Sequence, residues 1–228
     1  MGQDFLKQRQ SAVDALKAEG ILRSPSVIRA MLTVPREEFL PNDVKQYAYA
    51  DTPLPIGYGQ TTSALHMTAI FCEYGELKVG QKVLEVGAGC GYMSCVYAEV
   101  VAPCDIPKEK WGHVWTVEIV EELAEAARKN LEKSGYSDRV TAIHGDGSIG
   151  LKENSPYDVI IVTSAAPDVP EEFVEQLKPN GILLIPVGGI QFYQELLRIR
   201  RHSDGTVSRQ SLGGVAFVHM RGKAGWKS

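Results

Sequence analysis

Val83-Leu84-Glu85-Val86-Gly87-Ala88-Gly89-Cys90-Gly91-Tyr92 is the stretch that decides the fold of this chain. Three apolar residues around one acid read as a short buried strand. Glycines at alternate positions then make a turn whose backbone N–H groups can approach a ligand with no Cβ in the way. From Tyr92 onward Met93, Val96, Tyr97, Val100 and Val101 recur at steps of three and four, which predicts a helix beginning directly after the glycines. Strand, glycine turn and helix form the first half of a nucleotide-type site at the carboxyl end of a parallel strand. The order G-x-G-x-G, with an acid two residues before it, departs from the dinucleotide pattern G-x-G-x-x-G. No lysine follows to clasp a phosphate.

Downstream the pattern repeats as βαβ. Val114–Glu118 reads as a second strand, residues 121–133 as a helix with Leu123, Ala126, Ala127 and Leu131 inward, and Val140–Ile143 as a third strand closed by Gly145-Asp146-Gly147. Tyr157–Thr163 is nearly continuously apolar, as expected of a strand covered on both faces. A helix over 170–177, a strand over 182–187 and two more over 194–200 and 207–220 follow, the last two joined by Ser203-Asp204-Gly205, with 222–228 read as a loose tail. Residues 103–112 read as a surface insert, and Arg198, Arg200 and Arg201 as a solvated strand face.

The first fifty residues look helical. Phe5, Leu6, Val13, Leu16 and Ile21 share a face, and Ser24-Pro25 offers an N-cap and first helical proline for a second helix through Ile28, Met31 and Leu32, broken at Pro35. Arg36–Pro41 reads as a short helical turn. Residues 51–63, with two prolines and two glycines, read as a stiff irregular loop without strand period. Thr62 or Ser63 then caps a helix through Leu65, Met67, Ile70 and Phe71. The expected organisation is an N-terminal helical extension and substrate loop (1–62) and an α/β domain (63–228), packed as one globular unit.

With 228 residues, 44% hydrophobic, 23% charged and a net charge of −4, this is an ordinary globular composition without a basic tail for nucleic acid. Cys72, Cys90, Cys95 and Cys104 form no metal-ligand spacing, so no metal is expected, and sparse cysteine fits a reducing, cytoplasmic setting. Cys90 is read as a small turn residue rather than a nucleophile. No signal peptide or membrane-length apolar run is seen.

Glu85-Val86-Gly87-Ala88-Gly89-Cys90-Gly91 resembles the first motif of S-adenosylmethionine-dependent methyltransferases. That resemblance implies a class I, Rossmann-like, mostly parallel seven-stranded sheet with helices on both faces. Glu118 at the end of the second strand then suits the ribose hydroxyls, Asp146 the adenine edge, and Glu85 the amino-acid end. Glu118 and Asp146 also have plain readings, a strand-end carboxylate for Glu118 and a turn for Asp146-Gly147. All three stand at carboxyl ends of parallel strands, so they converge on one crevice. Gly87, Ala88, Gly89, Gly91, Gly147 and Thr163 complete the expected cofactor wall.

A narrower resemblance runs from about Arg29 to Gly222. It rests on Val34-Pro35-Arg36-Glu37-Glu38-Phe39, Tyr49–Gly57, Gly59-Gln60-Thr61-Thr62-Ser63, the glycine turn, Gly145-Asp146-Gly147, Tyr157–Pro167 and Ile185-Pro186-Val187-Gly188. These segments resemble the protein-L-isoaspartate (D-aspartate) O-methyltransferase family. The resemblance implies Ser63 as the active-site serine, His66 on the same segment, and Ile56, Gln60, Thr61 and Thr62 in the loop closing over cofactor and substrate. It also implies a cytoplasmic monomer that acts on isoaspartyl proteins and peptides, not nucleic acid or membranes, and leaves S-adenosyl-L-homocysteine as product. Leu65, where relatives often carry proline, and the 103–112 insert are departures. A small-molecule or RNA methyltransferase is the alternative, followed by a binding module with no turnover and a nicotinamide dehydrogenase.

The implied acceptor is the free α-carboxylate of an isoaspartyl residue. Its pKa is near the terminal value of about 3.5, so it is ionised at neutral pH and needs no general base. The protein's work is alignment and removal of water. Ser63 is expected to hold one carboxylate oxygen and leave the other free to attack. The methyl ester then closes to succinimide after release, which yields part normal aspartyl linkage.

Overall fold

The computed structural model describes residues 4–189 and 193–227. Seven strands form one sheet: β3 (Lys82–Val86), β4 (His113–Glu118), β5 (Val140–His144), β6 (Tyr157–Val162), β7 (Leu177–Gly188), β8 (Gln194–Arg201) and β9 (Val207–Val215), in the spatial order β5-β4-β3-β6-β7-β8-β9. From β5 to β7 neighbours run parallel, and β8 and β9 are added antiparallel. This is the mostly parallel seven-stranded sheet expected from the sequence. The chain walks outward from β3 to β5, then returns to place β6 on the other side of β3, so a crevice opens where the order reverses.

The period of two explains the layers. Val83, Val159 and Ile161 point into one core, while Leu84, Val86, Ile160 and Val162 point into the other. Helices α3 (Leu65–Tyr74), α4 (Tyr92–Val101) and α5 (Glu121–Lys133) supply the first core; α6 (Glu171–Glu175) covers part of the second through Phe173. Within α5, Ala124 is fully buried and Ala126 only half-buried, one position away from the face predicted. Helices α1 (Phe5–Ala18) and α2 (Pro25–Thr33) lie outside as a further layer, and their Val13, Leu16, Val27 and Met31 join the same apolar cluster as Val83, Tyr92 and Val96.

Several local expectations are corrected. Leu6 is exposed; the buried face of α1 is Arg9, Val13 and Leu16, because Arg9 finds polar partners inside. Ser24 takes the N-cap place of α2, yet its hydroxyl donates to Glu73 Oε2 (2.7 Å) rather than capping. The 51–63 stretch is no irregular loop. β1 (Leu54–Gly57) and β2 (Gln60–Thr62) pair as an antiparallel hairpin with Leu54 and Ile56 inward, an alternation masked by Pro53, Pro55 and the glycines. The helical stretch at 170–177 is shorter than predicted, since Leu177 already pairs with Tyr157 as strand, and the last strand ends at Val215.

The arginine face is tied down rather than solvated: Arg198 and Arg200 both donate to Glu76, and Arg201 to the Leu177 carbonyl. The 222–227 segment is packed. The Lys223 N–H donates to Asp146 Oδ2 (2.9 Å), the Ala224 N–H to Ser148 Oγ (3.0 Å) and Trp226 Nε1–H to the Ala165 carbonyl (3.0 Å). The 103–112 insert stays on the surface, closed by Trp111 Nε1–H on the Pro103 carbonyl. No helix among the described residues is long and apolar enough to cross a membrane.

Candidate active site

The glycine turn leaves β3 with Gly87, Gly89 and Gly91 all at positive φ (100°, 53° and 84°), a conformation that favours residues without Cβ. At Gly87 the requirement is also steric: a Cβ would meet Thr163 Oγ1 at 2.3 Å. Thr163 follows β6, and its hydroxyl donates to the carbonyls of Val86 (3.0 Å) and Gly87 (2.9 Å), which pins the two strand ends that flank the crevice. Gly91 is the N-cap of α4 and packs against Ala127 instead of facing the crevice. Gly87 and Gly89 line the crevice; Ala88 is buried behind it.

Two carboxylates below the turn differ in kind. Glu118, at the end of β4, accepts from the Gly89 N–H at Oε2 (2.9 Å) and the Val120 N–H at Oε1 (3.0 Å), and lines the crevice with lone pairs to spare. Glu85 sits across from Thr116 in the register and is fully buried. Its Oε2 accepts from Ser94 and from Thr116 Oγ1 (2.6 Å), while Oε1 has no protein partner. Burial pushes its carboxyl up to about 7, against the two hydroxyl donors. It does not line the crevice, so it acts beneath the turn.

Asp146 is more engaged than the sequence suggests. Its Oδ1 accepts from the Ser148 N–H (2.9 Å) and hydroxyl (2.6 Å), and Oδ2 from Lys223. These donors hold its carboxyl below the usual range despite burial. Gly147 and Ser148 themselves form part of the crevice wall, and Val218 to Arg221 line it as well. The last stretch went unforeseen, because its place depends on the Ala165–His219 bridge and on Asp146, both distant in sequence.

The β1–β2 hairpin roofs this crevice through Ile56, Gln60 and Thr61. Beside it lies a groove of about 750 Å³, whose lining includes Ser63, Ala64, His66, Met67, Leu212 and Phe217. Thr61, Thr163 and Val218 line both spaces, so crevice and groove meet at these three residues. Thr62 lines neither and is buried; burial also pushes the Cys90 thiol up, away from nucleophile chemistry.

Ser63 does not cap α3. Ala64 takes the N-cap place without a side-chain bond, and the Ser63 hydroxyl has no hydrogen-bond partner among the described residues. The capping duty falls to Asp51, whose Oδ1 accepts the His66 N–H (2.9 Å) and also holds His66 Nδ1 (2.9 Å). The Ser63 carbonyl accepts from Arg36 Nη2 (2.8 Å). Leu65 is the first residue of α3, where an N–H needs no helical partner, so leucine and proline fit the same backbone. Asp51 and Arg36 lie in segments the sequence marks, but nothing in their local pattern announces either contact.

These spaces fit an adenosyl sulfonium: a glycine cradle, a ribose-facing carboxylate with spare lone pairs, and an acceptor groove joined to it. A family model described as Protein-L-isoaspartate(D-aspartate) O-methyltransferase matches residues 7–225. The Protein-L-isoaspartate O-methyltransferase of Hyperthermus butylicus is 53% identical over 98% of this chain and 92% of its own length. That of Methanothermobacter thermautotrophicus is 49% identical over 98% and 99%. A solved protein-L-isoaspartate O-methyltransferase superposes with a TM-score of 0.83 at 33% identity, over 95% of this chain and 67% of that one. A second, from Plasmodium falciparum in complex with S-adenosyl-L-homocysteine, gives 0.79 at 26% identity over 93% and 98%. The fold, the joined crevice and groove, and matches of this length place the chain in one family: it belongs to the protein-L-isoaspartate(D-aspartate) O-methyltransferases.

Proposed function

We propose that this protein methylates the free α-carboxylate of L-isoaspartyl residues in damaged proteins and peptides, with Ser63 as the residue that aligns the acceptor. One observation carries the reading: the groove holding Ser63 meets the glycine-turn crevice at Thr61, Thr163 and Val218. S-adenosylmethionine, when bound, supplies an electrophilic methyl group on a sulfonium.

In this reading Gly87 and Gly89 let the backbone approach the cofactor, Glu118 accepts from its ribose hydroxyls, and Gly147 and Ser148 wall the nucleoside end. Asp146 sets the shape of that wall. Glu85 holds Ser94 and Thr116 beneath the turn and so fixes the start of α4. Ile56 and Gln60 roof the crevice and exclude water, while Ser63 donates to one carboxylate oxygen and leaves the other free. His66, oriented by Asp51, stands further along the groove. No residue has to remove a proton, since the acceptor arrives ionised.

We further read the protein as a cytoplasmic monomer whose partners are peptides rather than nucleic acid. The net charge of −4 and the four unpaired cysteines support this reading. The test is methyl transfer to an isoaspartyl peptide and to its normal aspartyl twin. Incorporation into the first alone supports the proposal; equal incorporation into both, or none into either, overturns it.

A further inference from the structure

Three arginines are buried among the described residues, and one of them lacks an ion-pair partner there. Arg9 has Glu37 at 2.9 Å and Arg139 has Glu99 at 2.9 Å. Arg36 is fully buried, and among the described residues no carboxylate stands within ion-pair distance of it; Asp51 acts on it only through space. Its Nε and Nη1 have no hydrogen-bond partner, its guanidinium lies 5.5 Å from the centre of the Tyr92 ring, and its one side-chain hydrogen bond runs from Nη2 to the Ser63 carbonyl.

An unpaired buried charge is expensive, and an apolar side chain of similar volume commonly replaces one with a gain in stability. Packing alone therefore does not account for an arginine here. Ser63 occupies the joint between the end of β2 at Thr62 and the start of α3 at Leu65. A residue in such a joint lies outside both the strand ladder and the helix. The guanidinium supplies the bond its carbonyl needs. The Arg36 backbone is itself anchored, its N–H donating to Tyr49 Oη (3.2 Å), which also receives Arg9 Nε (2.6 Å).

We propose that Arg36 is a positioning residue of the acceptor site, a buried guanidinium that fixes the Ser63 peptide from behind and places a positive charge without an ion-pair partner on the far side of it from the groove. The inference rests on Ser63 holding the acceptor carboxylate, as proposed above. The Nη2 bond sets where the Ser63 peptide, and with it the hydroxyl, lies, and the charge favours an anion over a neutral ligand at that hydroxyl. Because Arg36 does not line the groove, it favours the carboxylate without contacting and neutralising the attacking oxygen.

The test is a double-mutant cycle of Arg36→Met and Ser63→Ala, with Arg36→Lys alongside. In the Arg36→Met protein KM for an isoaspartyl peptide should rise about 10- to 100-fold. Affinity for S-adenosyl-L-homocysteine by calorimetry should stay within about twofold. Its melting temperature should be unchanged or higher, which a purely structural arginine would not give. Arg36→Lys, which keeps the charge but not the rigid guanidinium that aims the Nη2 bond, should recover part of the KM loss. In the Ser63→Ala background Arg36→Met should add little, since both changes act on one contact. Losses that multiply in the double variant, an unchanged KM, or an Arg36→Met protein that fails to fold each overturn the proposal. Wild-type turnover on the isoaspartyl peptide but not its aspartyl twin is the control for the parent reading. Without it both fall; with it, multiplying losses overturn the Arg36 role alone.

Discussion

One oxygen of the Asp51 carboxylate holds both the backbone N–H and the ring Nδ1 of His66, each at 2.9 Å. A side chain fifteen residues upstream therefore caps α3 and orients the imidazole that α3 carries into the groove. Asp51→Ala should cost about 1 kcal/mol in stability through the lost cap. It should also raise KM for the isoaspartyl peptide, because His66 loses its orientation. Asp51→Asn, which keeps an acceptor for the N–H, should restore most of the stability in a denaturant melt. Equal melts for alanine and wild type would remove the cap.

Ser63→Ala separates alignment from stability. The hydroxyl caps nothing and makes no bond among the described residues, so the stability change should stay within about 0.5 kcal/mol. Turnover on the isoaspartyl peptide should fall about 10- to 100-fold if the hydroxyl aligns the acceptor. Calorimetric affinity for S-adenosyl-L-homocysteine should be preserved, since Ser63 lies in the groove and not in the crevice.

Gly87→Ala should damage the cofactor crevice in two ways. Its φ of 100° disfavours any side chain, and the new Cβ would meet Thr163 Oγ1 at 2.3 Å. A stability loss of about 1–3 kcal/mol and a weakened affinity for S-adenosyl-L-homocysteine are expected. Thr163→Ala in the same chain should recover the steric part only. Full recovery in thermal melts would show that φ strain is negligible there.

Glu85 gives the stability a pH dependence. Its folded pKa is pushed up to about 7 from an ordinary 4.5 by burial. The folded state therefore holds this proton more tightly than the unfolded chain between those values. Its stabilising contribution is complete below about 4.5 and is lost as pH rises through about 7, a difference of roughly 3 kcal/mol. Melts of wild type and Glu85→Gln at pH 5 and pH 8 should differ in that sense, the variant gaining relative to wild type at the higher pH. A constant gap would mean that Glu85 titrates normally.

How much of this was legible in the sequence depended on how local the cause is. The glycine turn, β3 and α4 are written in ten consecutive residues plus a helical period, and the crevice at the strand reversal follows from them. The acids at 85, 118 and 146 could be placed at strand ends, but not told apart. One is sealed under the turn, one faces the crevice, and one is engaged by Ser148 and Lys223. The β1–β2 hairpin was missed because its strands are four and three residues long and their alternation is broken by prolines. The role of Ser63 as a cap was overestimated, since an N-cap pattern records composition while Asp51 competes from fifteen residues away. No local period can reveal that Arg36 is buried or that the 222–227 segment is held by Asp146 and Ser148.

The apolar cluster shared by α1, α2, α4 and β3 bears on how the molecule comes apart. Val13, Leu16 and Val27 have no separate interior to keep; they fill the same one as Val83 and Val96. Heating should then give a single calorimetric peak whose van't Hoff and measured enthalpies agree, with no plateau for a detached amino-terminal piece. A fragment starting at residue 63 would be left with a naked oily flank, and should clump on expression instead of yielding a smaller working enzyme.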